Sequence, residues 1–186
     1  KLAQNFLNYR WLLTYLYGAS SLAEKGFLSE EVGCVRSIRN SKHGYVNAED
    51  VHISFSSLEQ YVADIEQAVQ SGQLSAEKEF YSSVRLRGAK TSRDFLSKGI
   101  SYLEFRTFDL NPYDPFAISQ ETLDTVHLFL LALLWLDQLA DVDNALTKAD
   151  RLNNLIALSH PHTPLPSDAD FTPILIAMKA IVIHFG

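Results

Sequence analysis

The stretch GISYLEFRTFDLNPYDPF, Gly99–Phe116, reads as a strand that ends in a proline-fixed turn. Side chains alternate faces along a strand. Leu103 and Phe105 therefore point to a core, while Tyr102, Glu104 and Arg106 share the opposite face, the outer two about 13 Å apart. A glutamate and an arginine two residues apart in an otherwise apolar and aromatic run need a reason, and two readings stand. The face is solvated and carries a surface pair, which contributes about 0–1 kcal/mol. Alternatively it lines a cleft, where a carboxylate offers hard oxygens to Mg²⁺ and a guanidinium one pleat away forks onto phosphate or carboxylate. The second combination suits phosphoryl chemistry, in which cations neutralise developing charge.

The segment before it, YSSVRLRGAK, Tyr81–Lys90, alternates in the same way. Tyr81, Ser83, Arg85 and Arg87 fall on one face. If the two strands pair, two arginines and a tyrosine join the Glu104 surface. The other reading is a basic edge strand that discourages aggregation.

Outward from this pair, helical periodicity predicts helices over Leu2–Tyr17, closed by Gly18, and over Leu58–Val69, opened by a Ser57/Gln60 capping box. A short helix is expected over Arg93–Lys98, a longer one from Ser119 to about Leu139, and others over Ala145–Leu158 and Ile174–His184. VHLFLLALLWL, Val126–Leu136, is apolar nearly all round, which predicts a buried helix. Two further segments, CVRSIR (Cys34–Arg39) and VHISF (Val51–Phe55), alternate well enough to predict strands. The class is α+β with helices in the majority. SHPHTPLPSDADFTP, Ser159–Pro173, reads as a loop.

The 186 residues fit one domain or a piece of a larger one, and 47% hydrophobic against 20% charged residues excludes a disordered chain. A net charge of −6 argues against a general nucleic-acid binder. The longest apolar run, Leu128–Leu136, has nine residues, well short of the roughly 20 that span a bilayer. With one cysteine, Cys34, no internal disulfide forms, which suits a reducing compartment such as the cytoplasm. The chain opens KLAQNFLNYRW, without a methionine or a signal peptide, and is expected to be part of a longer protein.

Three motifs, in order along the chain, carry a resemblance. Tyr102-Leu-Glu104-x-Arg106 followed by Asp109-Leu-Asn-Pro-Tyr resembles the Tyr-(Ile/Leu)-Glu-x-Arg strand and Asp-(Ile/Leu)-Asn-Pro-(Phe/Tyr) turn of bacterial glutamate–cysteine ligases. NYRWLLTYLYGAS, Asn8–Ser20, is similar to that family's aromatic helix ending in Gly-Ala-Ser. IRNSKHGYVN, Ile38–Asn47, is similar to its Arg-x-Ser-x-x-Gly-Tyr segment. The wording is nearest to the ligase module of the bifunctional glutathione-synthesising enzymes of bacteria. The resemblance covers Asn8 to Phe116, weakens through the next helices and fades after Leu158.

The resemblance implies part of a glutamine-synthetase-like catalytic domain, a curved and mostly antiparallel sheet with helices outside. It implies an ATP-dependent ligase that phosphorylates the side-chain carboxylate of L-glutamate. The amine of L-cysteine then attacks the acyl phosphate, and Mg²⁺ holds the phosphates. Glu104 is then a metal ligand, and Arg106 contacts phosphate or the phosphorylated intermediate. Arg39, Tyr45 and Tyr81 match positions that shape the cysteine site, with Arg85 near them as a contact to substrate or nucleotide. Lys42-His43 departs from the family pattern.

An acyl phosphate must be shielded from water, and aromatic walls such as Tyr45 and Tyr81 do that. No protein nucleophile is needed, because the substrate amine attacks. Cys34 is accordingly expected to be a buried strand residue. Trp11 and Trp135 are expected in the core. The Asp109 segment is expected to be a turn, His160 and His162 surface residues, and His43 a solvated loop residue. The family's upstream metal-binding strands are not in this sequence. The missing parts of the parent polypeptide are therefore expected as partners, and the chain alone is expected to hold Mg²⁺ poorly and to turn over little or nothing. Two other classes remain open: a non-catalytic amino-acid-binding module, and a partner-dependent piece derived from the ligase fold.

Overall fold

The computed structural model describes residues 1–48 and 50–185. Among the described residues six α-helices and one antiparallel pair of strands follow in the order α1 (Leu2–Tyr17), α2 (Leu58–Gln70), β1 (Val84–Arg87), α3 (Phe95–Lys98), β2 (Tyr102–Phe105), α4 (Gln120–Trp135), α5 (Val142–Leu158) and α6 (Thr172–Phe185), with a short 3-10 turn at Glu77–Glu79 before β1. The class is α+β, as expected, with a two-stranded antiparallel sheet among the described residues.

Capping side chains set the helix starts. The Ser57 hydroxyl accepts the Gln60 N–H at 3.0 Å, the predicted cap, and the Ser119 hydroxyl accepts the Thr122 N–H at 3.2 Å. Asp141 accepts the Asn144 N–H, so α5 begins at Val142 rather than at Ala145. At the end of α1 a Cβ on Gly18 would lie 2.7 Å from the Thr14 carbonyl and 2.9 Å from that of Arg36. Glycine is there for close approach of two backbones, since its φ of −63° is open to any residue.

The core has two main centres. Phe6, Leu7 and Leu13 of α1 meet Val84 of β1, Phe129 and Leu133 of α4 and Ile174 of α6. Tyr61, Val62 and Ile65 of α2 meet Phe80, Leu86 and Phe95. Leu103 touches both groups and Phe105 touches the first, so the apolar face of β2 points where alternation put it. Trp11 is buried with Ile156 and Ala169, fastening α1 to α5.

Several expectations are corrected. Cys34–Arg39 and Val51–Phe55 are not strands. The first segment bends repeatedly and sends its N–H groups to partners that form no ladder: Val35 to Ser21, Ile38 to Ser20, Arg36 to Ser159 and Ser37 to Ala157. Cys34 is exposed, not a buried strand residue. α4 is not buried all round: its main helix neighbours are α1 and α6, and Leu123, Leu131 and Leu134 face solvent. Trp135, at its end, is 62% exposed and outside the core. The side chain of His43 is 11% exposed, 3.4 Å from Glu30, rather than solvated. Among the described residues no helix is long and apolar enough to cross a membrane.

Candidate active site

The polar face of the sheet is organised by Glu104. β1 and β2 pair antiparallel with Arg85 opposite Glu104 and Arg87 opposite Tyr102. The residue directly across is not the one that binds. Arg85 turns its guanidinium to the Lys78 carbonyl, donating at 2.7 Å. Arg87, on the diagonal, donates its Nε–H to one Glu104 oxygen at 2.6 Å, and Arg106 donates its Nε–H to the other at 2.7 Å. Long side chains reach across that diagonal readily. The hydrogen bonds from Arg87 and then Arg106 hold the Glu104 carboxyl below its ordinary value. Burial, and then the nearby charges of Arg87 and Arg106, push the Arg85 guanidinium down.

The second part is a cleft of about 730 Å³ on the other side of Arg106. Arg39 donates from Nη2 to the Arg106 carbonyl at 3.0 Å, which is the seam between strand and cleft. The Arg39 guanidinium lies 5.0 Å from the centre of the Tyr45 ring. Tyr45 in turn stacks on Tyr81 with ring centres 5.6 Å apart. Asn47 and Tyr81 exchange two hydrogen bonds, Nδ2–H to carbonyl and N–H to Oδ1, each 2.8 Å. Burial raises the Tyr81 hydroxyl, and Arg39, Arg10 and Arg106 oppose that shift. A Cβ on Gly44 would collide with the Arg39 carbonyl, so the turn that brings Tyr45 back over Arg39 needs glycine.

The loop carrying Arg39 and Tyr45 is held from below. Asp109 Oδ2 accepts the N–H groups of Ala19 and Ser20 and the hydroxyls of Ser20 and Ser37, at 2.7–3.0 Å. Asn40 donates to the Ser37 hydroxyl and to the Thr107 carbonyl. From α5, buried Asn153 donates to the Asn40 carbonyl and Asn154 accepts the Lys42 N–H.

Arg39, Tyr45 and Tyr81 are thus together, and Glu104 and Arg106 are together, joined through the Arg106 backbone. Arg85 sits on the strand face; the cleft lining includes neither it nor Glu104 or Arg106. Tyr81 joins the cleft rather than the Glu104 face, because β1 begins at Val84 and the chain turns before it. Reading the sequence placed Arg87 on the Glu104 surface without giving it a role, missed Arg10 and the two asparagines of α5, and took Asp109 for turn chemistry alone. The arginine alternation held the signal for Arg87.

The described residues do not fit a magnesium site by themselves. No three His, Cys, Asp or Glu side chains among them converge, and both Glu104 oxygens accept guanidinium donors. Mg²⁺ requires about six oxygens in octahedral order.

A family model described as glutamate-cysteine ligase matches residues 1–155, which contain both halves of this site. The chain belongs to the glutamate–cysteine ligase family. It is 61% identical over its whole length to the glutathione biosynthesis bifunctional protein GshAB of Streptococcus agalactiae, and 62% identical to that of Streptococcus mutans. In each case it spans 25% of the relative's length. Among solved structures, a bifunctional glutathione synthetase from Pasteurella multocida superposes with a TM-score of 0.88 at 39% identity. That match covers 98% of this chain and 24% of the other. A glutamate–cysteine ligase from Francisella tularensis, solved in complex with AMP, shares the fold at a TM-score of 0.77 and 23% identity, over 97% of this chain and 46% of its own. The ligase-family motifs quoted above meet in space: Ser20, at the Gly-Ala-Ser end of α1, donates to the Asp109 carboxylate and its hydroxyl accepts the Arg39 N–H.

Proposed function

We propose that this chain supplies one anion-binding strand and the acceptor wall of a glutamate–cysteine ligase domain. In the parent protein ATP transfers its γ-phosphoryl group to the side-chain carboxylate of L-glutamate. The amine of L-cysteine attacks the resulting acyl phosphate, an amide forms and phosphate leaves. The observation that carries this reading is the seam at Arg106. Its guanidinium is held on the strand face by Glu104, while its carbonyl receives Arg39 of the cleft, so the anion-binding and amino-acid-binding halves share one residue.

In this reading Arg106 stabilises the charge that develops on the transferred phosphoryl group. Arg39, with its fixed fork, takes the carboxylate of cysteine, and Tyr45 and Tyr81 wall the acyl phosphate from water. Arg85 supports the cationic field of the strand. Glu104 contributes one oxygen to magnesium only in the parent, where the other donors come from outside this chain. β1 and β2 belong there to a wider, curved sheet of the glutamine-synthetase type, in a cytoplasmic enzyme, and the chain by itself is inactive.

The test is substrate discrimination in the parent protein. Arg39→Lys is expected to raise KM for cysteine about 10-fold or more while KM for ATP stays within about twofold. Equal effects on both substrates would remove the cleft assignment. Cysteine binding that needs neither ATP nor turnover would favour an amino-acid-binding module instead.

A further inference from the structure

The strand face carries more positive charge than Glu104 neutralises, and its guanidiniums are held in an unusual way. Arg87 and Arg106 both approach the carboxylate through Nε–H, one on each oxygen. A structural arginine–carboxylate pair usually uses the fork, which engages a terminal nitrogen. Here, among the described residues, the terminal nitrogens of both side chains have no hydrogen-bond partner, and roughly a third of each side chain is exposed (34% and 30%). Arg85, also on this face, has its own Nη2 tied to Lys78. Three guanidiniums thus lie on a face with one carboxylate, and two of them bind it. Burial first, and then the charges of Arg87 and Arg106, disfavour the charged form of Arg85.

We infer that Glu104 splints Arg87 and Arg106 into a two-armed cradle for an oxyanion of the reaction, with Arg87 as a binding residue in its own right. This rests on the ligase reading above. The shared chemistry is a tetrahedral or planar oxyanion with several acceptor oxygens, either the nucleotide phosphate or the side-chain carboxylate of glutamate. A single arginine offers one fork. Two arginines held by one carboxylate offer four terminal nitrogens at fixed spacing and lose little side-chain freedom on binding. The splint also explains why the glutamate of β2 and the arginine just after it lie two residues apart: Glu104 must reach both its neighbour Arg106 and the diagonal Arg87.

The test uses the full-length parent, with formation of γ-glutamylcysteine measured in the absence of glycine so that only the first ligation is read. Arg87→Ala is expected to raise KM for one oxyanion substrate about 10- to 100-fold and to leave KM for cysteine unchanged. A rise confined to ATP, with weaker inhibition by inorganic tripolyphosphate, assigns the cradle to phosphate. A rise confined to glutamate assigns it to carboxylate. Arg87→Lys keeps the charge but loses the Nε–H bridge, and an intermediate value is expected; it serves also if the alanine variant does not fold. Unchanged KM for both ATP and glutamate, with only a lower melting temperature, would make Arg87 a structural partner of Glu104 and overturn the inference. Failure of the wild-type parent to make γ-glutamylcysteine would instead overturn the ligase reading itself.

Discussion

Asp109 receives Ser20 twice on one carboxylate oxygen: the Ser20 hydroxyl donates at 2.9 Å and its backbone N–H at 3.0 Å. The Ser20 hydroxyl then accepts the Arg39 N–H at 3.0 Å. The turn after β2, the end of α1 and the start of the Arg39 loop are therefore one polar knot. Four donors on one oxygen make that carboxylate expensive to lose. Asp109→Ala is expected to lower the unfolding free energy of the ligase domain in the parent by about 2–4 kcal/mol. Urea unfolding checks this, and a midpoint equal to wild type would show that water replaces the carboxylate without loss.

Asn153 bridges α1 and the loop, accepting from the Thr14 hydroxyl at 2.8 Å and donating to the Asn40 carbonyl at 2.8 Å. At 3% exposure its removal strands both partners away from water. Asn153→Ala is expected to cost about 1–3 kcal/mol. Asn154→Ala, which frees only the Lys42 N–H, is expected to cost under about 1 kcal/mol. Because both asparagines act through the Arg39 loop, a rise in KM for cysteine should accompany the first variant. A stability loss without that rise would confine Asn153 to packing.

The pH dependence of the strand pair follows from Glu104. Its carboxyl lies below the ordinary value of 4.5 because Arg87 and Arg106 donate to it. A value depressed in the folded state gives stability that is complete above the unfolded value and lost as pH falls through the folded one. About a third of the side chain is exposed, so screening keeps the effect to roughly 1 kcal/mol or less. Between neutrality and about pH 3, wild type should lose slightly more stability than Glu104→Gln, as read from urea midpoints. Parallel pH profiles would show that the bridges add nothing to the folded state.

α4 and α6 pack together through Ala132, Ala177 and Ile181, yet their outer faces expose Trp135, Ile176 and Ile183, the last at 79%. Large apolar side chains exposed in this way favour association. The 186-residue chain expressed alone is expected to elute above its monomer mass and to have a readily quenched Trp135, with Trp11 protected at 3% exposure. A monomer with both tryptophans protected would contradict the exposed-face description.

Much of this fold was legible in the sequence where a local signal coincided with the tertiary outcome. The span of α1, the Ser57 cap of α2 and the alternation of Leu103 and Phe105 against Glu104 and Arg106 all survived into the structure. Cys34–Arg39 failed because alternation reports an extended backbone and not its partners, which here are helix ends and a turn. Trp135 and the outer face of α4 failed because a helix apolar on every side predicts burial by something, and the described residues cover only part of it. In the site, the motifs named side chains that the fold brings into two adjoining groups, Arg39, Tyr45 and Tyr81 in one and Glu104 and Arg106 in the other. They did not reveal that the diagonal Arg87, rather than the facing Arg85, binds Glu104, since that choice lies in the twist and register of two strands. Nor did they show that Asp109 ties three segments together, which is long-range geometry carried by a single oxygen.

The most direct test of the central claim is cysteine-dependent ADP release by the full-length parent with glutamate, ATP and magnesium, compared for wild type, Glu104→Gln and Arg106→Ala. The account predicts release in wild type and a loss of at least about 100-fold in both variants, with melting temperatures near wild type. Release that is unchanged in both variants would make the Glu104 face a structural surface and contradict its place at the phosphoryl centre.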